Sequence, residues 1–469
     1  MKHIWLKGAL VGAAVLMGSN GIRAEEEIAG AALQLRVHDL GSRQWSPYIN
    51  ERGYGKNGDG NNFWIDVGTK RLLTGVNFNR RSEENLSSRW KYFRVWGTNN
   101  REDVAAANKD TSKMTLVVSN YLGVAAATGT YNTLIPDEGV GEFRYYYLSD
   151  LGGFASFHGF ELWSASPSVW EYAPIVDDLD EGNYTFRGKV SYVEGDAGEI
   201  CVAIADKDYD DDFDAWQEKG RIVKSSETYQ TGDTFSIEVK GVARGRTYSR
   251  VFVRAGSEGT WYPSCRTWYF SARAEIMTLE AYVVDTADQT KTNSEGQVTG
   301  YNEAYRFYDG KTSNGWVEYN TGVSSIIFKL DPTKDYSSIR VYPRVTGVNN
   351  QDSTCFSRVM GLYPYSVTED DLEFTDAVQS TFVEEPRKLY FVKPTGVPEA
   401  NWTAIDSLAT TLKDFADWSG SYIELPIPKG TFTGKKWLKI DVNDGSTHTN
   451  CREIELLTVA PSSFCIRIQ

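Results

Sequence analysis

The stretch SIIFKLDPTKDYSSIRVYPR, residues 325–344, alternates apolar and polar residues, breaks at a polar turn holding Thr333 and Lys334, and alternates again up to Arg344. Successive side chains of a strand point to opposite faces, so this pattern spells two strands joined by a short turn. Residues 62–81, NFWIDVGTKRLLTGVNFNRR, repeat it, with Thr69 and Lys70 in the turn and Arg81 at the end. The closing segments also correspond: FASFHGFELW, residues 154–163, and TNCREIELL, residues 449–457, both run into Glu-Leu, and Gly159 aligns with Glu453. An internal repeat of this kind, in the same order at both ends of a chain, points to two related domains.

The part between them reads differently. YTFRGKVSYV, GEICVAIAD, DTFSIEVKGV, RTYSRVFVRAG and RTWYFSA follow one another at turn-spaced intervals between residues 184 and 272, as in a sandwich of short strands. At 469 residues the chain exceeds a single core, since domains run to roughly 100–200 residues each. Aromatics make up 13% and apolar residues 41% of it, enough material to bury, and runs of helical period are few. The expected fold is all-β, in three domains.

The first 24 residues resemble an export signal. Lys2 and Lys7 precede an apolar run from Gly8 to Met17, too short to span a bilayer, and Ala24 offers a small residue for cleavage before Glu25. The expected location is therefore secreted or extracellular, or periplasmic, with no membrane span. Losing Lys2, Lys7 and Arg23 moves the formal charge from -14 to -17. Such acidity excludes nucleic acid as a natural partner, because phosphate binding calls for basic patches. Five cysteines, at 201, 265, 355, 451 and 465, are too few for a disulfide scaffold. Pairing within domains would join Cys201 to Cys265 and Cys355 to Cys451, leaving Cys465.

The run from Thr234 to Phe270 carries Gly241-Val242-Ala243-Arg244-Gly245-Arg246-Thr247-Tyr248 before a Tyr-x-Arg-Val strand, and resembles the closing half of a fibronectin type III domain. The third region carries YDGKTSNGW, the strand pair ending VYPR, and KWLKIDVNDGSTHTNCREIEL. It resembles the discoidin or coagulation factor 5/8 type C family, with its galactose-binding-like jelly roll, and the first region resembles it more weakly. The implied order is a signal peptide (1–24), a discoidin-like jelly roll (30–168), a fibronectin type III-like, immunoglobulin-like sandwich (172–273) and a second discoidin-like jelly roll (275–460).

The family resemblance also implies a structural calcium in the third domain. Calcium takes six to eight hard oxygen ligands. In galactose-binding members the Asp of an Asp-Gly pair and the Glu of the last strand share one ion, which corresponds to Asp309 and Glu453. Asn314 stands at the hydroxyl position two residues before Trp316, and carbonyls would come from Arg306, Lys311 and Arg452. The first domain has no Asp-Gly-x5-Trp and has Gly159 in place of Glu453, so it lacks both halves together. DKDYDDDFDAW, residues 206–216, resembles the start of an EF-hand loop, but Asp211 replaces the required Gly and no Glu stands at the twelfth position. An exposed loop is expected there.

The same resemblance implies sugar binding. A rigid guanidinium reaches two adjacent hydroxyls of a pyranose, and the strand ends supply Arg344 followed by Asn349 and Asn350, and Arg81 followed by Asn85. Trp90, Trp96, Trp163, Trp402 and Tyr145 to Tyr147 are candidates for the aromatic face, and the long stretch from Ser366 to Gly434 for binding loops. Gly-x-Ser-x-Gly, His-Glu-x-x-His and Gly-rich phosphate loops are absent. The expected function is non-catalytic recognition of an extracellular glycan or glycoprotein. The alternatives are a protein-binding adhesion or assembly component and a polysaccharide-acting enzyme.

Overall fold

A computed structural model describes residues 27–39, 54–56, 63–80, 92–105, 111–121, 129–135, 140–149, 155–195 and 197–285. Beyond these it describes 290–292, 298–301, 308, 310, 317–319, 323–343, 361–368, 370–375, 377–379, 387–392, 402–405, 410–411, 422–441 and 449–459. The expected signal segment lies outside the described residues.

The two strands of residues 325–344 leave for different layers. Val323–Lys329 pairs with Glu280–Asp285 and Trp437–Asp441, whereas Tyr336–Pro343 pairs with Ile423–Pro426 and with the closing strand Thr449–Thr458. In the first region Phe63–Arg71 pairs with Arg36–Asp39 and Phe143–Ser149, and Gly75–Arg80 with Gly129–Leu134 and the closing strand Ala155–Ser164. The outer pairings match too. Ala31–Ala32 and Tyr54–Lys56 flank the first closing strand as Glu275–Ile276 and Val317–Tyr319 flank the second. The repeat legible in the sequence is thus a duplicated antiparallel sandwich.

Register extends the match to single residues. Phe160 lies opposite Phe78 and Ile454 opposite Val341; Gly159 lies opposite Asn79 and Glu453 opposite Tyr342. Phe78 and Val341 hold the same place in the two quoted stretches, as do Asn79 and Tyr342. Gly159 and Glu453 are therefore structural equivalents.

Alternation sends Ile339, Val341, Ile454 and Leu456 into the core of the third sandwich, with Ile326, Phe328, Leu438 and Ile440 facing them from the other sheet. In the first sandwich Ile65, Val67, Val76, Phe160 and Leu162 do the same. The third has an addition: Lys388–Val392 runs parallel to Glu280–Asp285, with the short strand Val378–Gln379 outside it. Leu372, Phe374 and Trp402 pack with Ile327 and Trp437 on that sheet's outer face. Those three residues, within the 366–434 stretch expected to supply binding loops, are thus part of the framework.

The middle region forms two sheets. Ser168–Glu171 and Thr234–Val239 border Asn183–Tyr192 in one, while Arg221–Lys224, Gly198–Ala205, Gly245–Ala255 and Trp268–Ala272 follow in order in the other. That is an immunoglobulin-like arrangement, and the described residues are all-β apart from short helices such as Phe213–Lys219.

One strand of the middle sandwich grips both neighbours. Arg246 donates to Ile427 O (2.9 Å), to Tyr336 O (2.9 Å) and to the Asp335 carboxylate (3.0 and 3.2 Å) of the third sandwich. Four residues on, and so on the same face, Arg250 donates to Gly68 O of the first sandwich (2.9 Å) and to Asp210 (3.1 Å). Gly68 has φ +87°, and a Cβ there would lie 2.4 Å from Ser264 O, so glycine allows the close approach.

The acidic stretch 206–216 completes this junction. Asp210 also binds Arg144 of the first sandwich (2.5 Å), which is held by Asp66 (2.9 Å). Asp211 accepts from Thr69 (2.9 Å), Asp208 from Thr267 (3.0 Å), and Asp212 caps the helix Phe213–Lys219 through Ala215 N (2.9 Å). The loop is exposed, as expected, at Asp206, Asp208, Asp210, Asp212 and Asp214, and Asp208, Asp210, Asp211 and Asp212 go to separate partners, which makes it a clasp as well. No disulfide joins Cys201 to Cys265, contrary to expectation; both are buried thiols. Cys355 and Cys465 lie outside the described residues, as does the Cys451 side chain.

Candidate functional site

The closing strand of the third sandwich carries the site's chemistry. Because Ile454 and Leu456 point inward, Glu453 and Glu455 point to the outer face of their sheet, yet they are 0% and 3% exposed. Their cover is charged. The guanidinium of Arg387, just before the strand Lys388–Val392, binds Glu453 Oε1 through Nη1 and lies 3.4 Å from Glu455 Oε1 through Nη2. The other oxygen of Glu453 accepts from Gly310 N (3.2 Å), so the backbone at Gly310 reaches the closing strand.

The network continues across three strands. Arg340 stands between Glu455 and Glu424 in register, with Nη2 3.1 Å from Glu424 Oε2 and Nη1 3.8 Å from Glu455 Oε2. Its guanidinium lies 4.2 Å from the Tyr422 ring centre. Tyr342 OH donates to Glu455 (3.1 Å). Glu424 Oε1 accepts from Ser338 Oγ (2.5 Å) and from Ser271 N of the middle sandwich (2.6 Å). Burial opposes the positive charge of both arginines. For Arg340 the carboxylates led by Glu424 outweigh it, for Arg387 those led by Glu453, and both pKa values rise above the ordinary guanidinium value.

Glu453 is the one residue of the expected calcium set whose side chain is described. Both of its oxygens accept from the chain's own N–H donors, and a guanidinium already supplies the compensating charge. Calcium seeks oxygen ligands and is repelled by a cation at contact distance, so Glu453 as arranged here does not fit the ion. Among the described residues no group of three His, Cys, Asp or Glu side chains is placed to hold a metal. Asp309, Asn314, Arg306 and Lys311 lie outside the described residues, and of Arg452 only the backbone is described. Arg344, Asn349, Asn350, Arg81 and Asn85 also lie outside them.

Of the aromatic candidates, Tyr145, Tyr146 and Tyr147 are buried. Trp96 and Trp163 are half-buried, and Trp163 Nε1 donates to Glu161 (2.9 Å). Trp402 packs on the outer-face cluster. Trp90 lies outside the described residues. Arg387, Arg340, Glu424 and Glu455 did not emerge from the sequence. A signal was present in Glu453-x-Glu455, two carboxylates on one face of a strand, beside Arg340 on its repeat partner.

No family model matches the chain, and no curated protein matches it. Among solved structures it is similar to the lectin-binding domain of lectinolysin complexed with Lewis b, over 31% of this chain and 100% of that one, at 13% identity and a TM-score of 0.21. A fucolectin from the serum of striped bass (Morone saxatilis) is similar over 91% and 96% of the two chains, at 9% identity and a TM-score of 0.21. A SusE-like protein is similar over 62% and 96%, at 10% identity and a TM-score of 0.20. At these scores the likenesses carry no conclusion about this chain.

Proposed function

We propose that this chain is an exported, non-catalytic carbohydrate-binding protein whose two flanking sandwiches present equivalent surfaces from a fixed middle sandwich. The supporting observation is the duplication itself. The equivalent strands Gly75–Arg80 and Tyr336–Pro343 end at the same corner of both sandwiches, and the next residues in sequence are Arg81 and Arg344. A guanidinium at such a strand end is suited to two vicinal hydroxyls of a sugar. Two such corners on one chain raise avidity when both are engaged. The proposal includes no metal, since both oxygens of Glu453 accept from N–H donors of the chain.

A glycan array probed with the full chain, once in calcium and once in chelator, tests this reading. Binding to a related set of glycans is expected under both conditions, weakened roughly tenfold by Arg344→Ala, the loss of one charged hydrogen-bonding group. A folded chain that binds no glycan refutes it and favours the protein-binding adhesion component.

A further inference from the structure

We propose that Arg387 is the resident cation of the third sandwich: its guanidinium ties Tyr308 and Gly310 to the closing strand, so that these two residues are held there without metal. The inference stands apart from glycan binding.

The residues on either side of Asp309 both touch the guanidinium. Tyr308, fully buried, lies under it with its ring centre 4.8 Å away. Gly310 has φ +81°, and a Cβ there would lie 3.4 Å from Arg387 Cζ. The same guanidinium reaches Glu453 and Glu455, while Gly310 N donates to the second oxygen of Glu453. Loop, cation and strand therefore share one carboxylate. Tyr308 is fixed further by Leu279 N, which donates to its hydroxyl, just before the strand Glu280–Asp285.

The first sandwich supplies an internal comparison. It has glycine at the place of Glu453, as the register shows, and among its described strands none corresponds to Lys388–Val392, the strand that Arg387 precedes. The carboxylate and the cation occur together in one sandwich and are missing together from the described part of the other. Within the described residues this is the pattern an obligatory charge pair gives, since a buried carboxylate without its cation is strongly destabilising. In the third sandwich an arginine supplied from an inserted segment provides that cation to Glu453.

Arg387 is a positioning residue, and the test follows the loop as well as stability. The full chain is melted in a calorimeter in calcium chloride and in chelator, and its hydrogen exchange is followed in peptides covering residues 306–316. For the wild type, calcium should leave both the melting profile and the loop exchange unchanged. Arg387→Met should speed exchange of the loop peptide roughly tenfold, with a smaller change in peptides of the first sandwich. Arg387→Lys, which keeps the charge, should lie between them. The proposal is overturned if calcium raises the wild-type melting temperature and slows loop exchange, or if Arg387→Met exchanges like wild type. Should Arg387→Met fail to fold, the wild-type response to calcium and the Arg387→Lys exchange still decide.

Discussion

Replacing Arg340 by methionine removes one guanidinium from between two buried carboxylates and leaves the apolar stem in place. Arg340 is 4% exposed, Glu424 6% and Glu455 3%, so water cannot compensate for the loss. Removing one partner of a buried pair costs about 3–5 kcal/mol. The lower end applies here, because Glu455 keeps Arg387 and Tyr342, and Glu424 keeps Ser338 and Ser271 N. For a unit of this size about 3 kcal/mol corresponds to a fall of roughly 6–12 °C in melting temperature. Calorimetry of the full chain reads it in the transition of the third sandwich. Adding Glu424→Gln to Arg340→Met should restore part of the loss, since it removes the charge left uncompensated. A single variant that melts within about 2 °C of wild type, or a double variant whose loss is the sum of the two singles, refutes the charge-ladder account.

Two further outcomes follow from the junctions and thiols. Burial raises the pKa of Asp210, but the hydrogen bond and charge of Arg144, together with Arg250, outweigh it and leave the carboxyl below its ordinary range. A depressed folded value gives stability that is present above the unfolded value of about 3.9 and lost as pH falls through the folded one. The clasp between the first and middle sandwiches should therefore be constant from pH 8 to pH 5. Asp210→Asn should weaken it by roughly 1 kcal/mol, and differential proteolysis in which the junction opens between pH 7 and pH 5 contradicts the assignment. Burial pushes the Cys201 thiol up to about 12, so at pH 8 it should resist alkylation in the native chain and react after denaturation. Peptide mapping that finds Cys201 linked to Cys265 disproves the buried-thiol assignment.

The period-two alternation of residues 62–81 and 325–344 determined by itself that this is an all-β chain. Alternate residues must face opposite sides of a sheet, and no tertiary information is needed to see which of them are apolar. Comparison of the closing segments, residues 154–163 and 449–457, also determined that Gly159 and Glu453 are equivalent, because matched register follows from matched pattern. What faces the polar side of those strands was not legible. Glu453 meets an arginine 66 residues away in sequence, delivered by an inserted strand whose parallel pairing leaves no local signature. Likewise the carboxylates of residues 206–216 share one loop but are separated by their partners, Arg144, Arg250, Thr69 and Thr267. Only tertiary packing, within a sandwich for Arg387 and Arg250 and between sandwiches for Arg144, selects among the cations of a chain this long, since charge is unspecific at the level of sequence and becomes specific only through distance and exclusion of water.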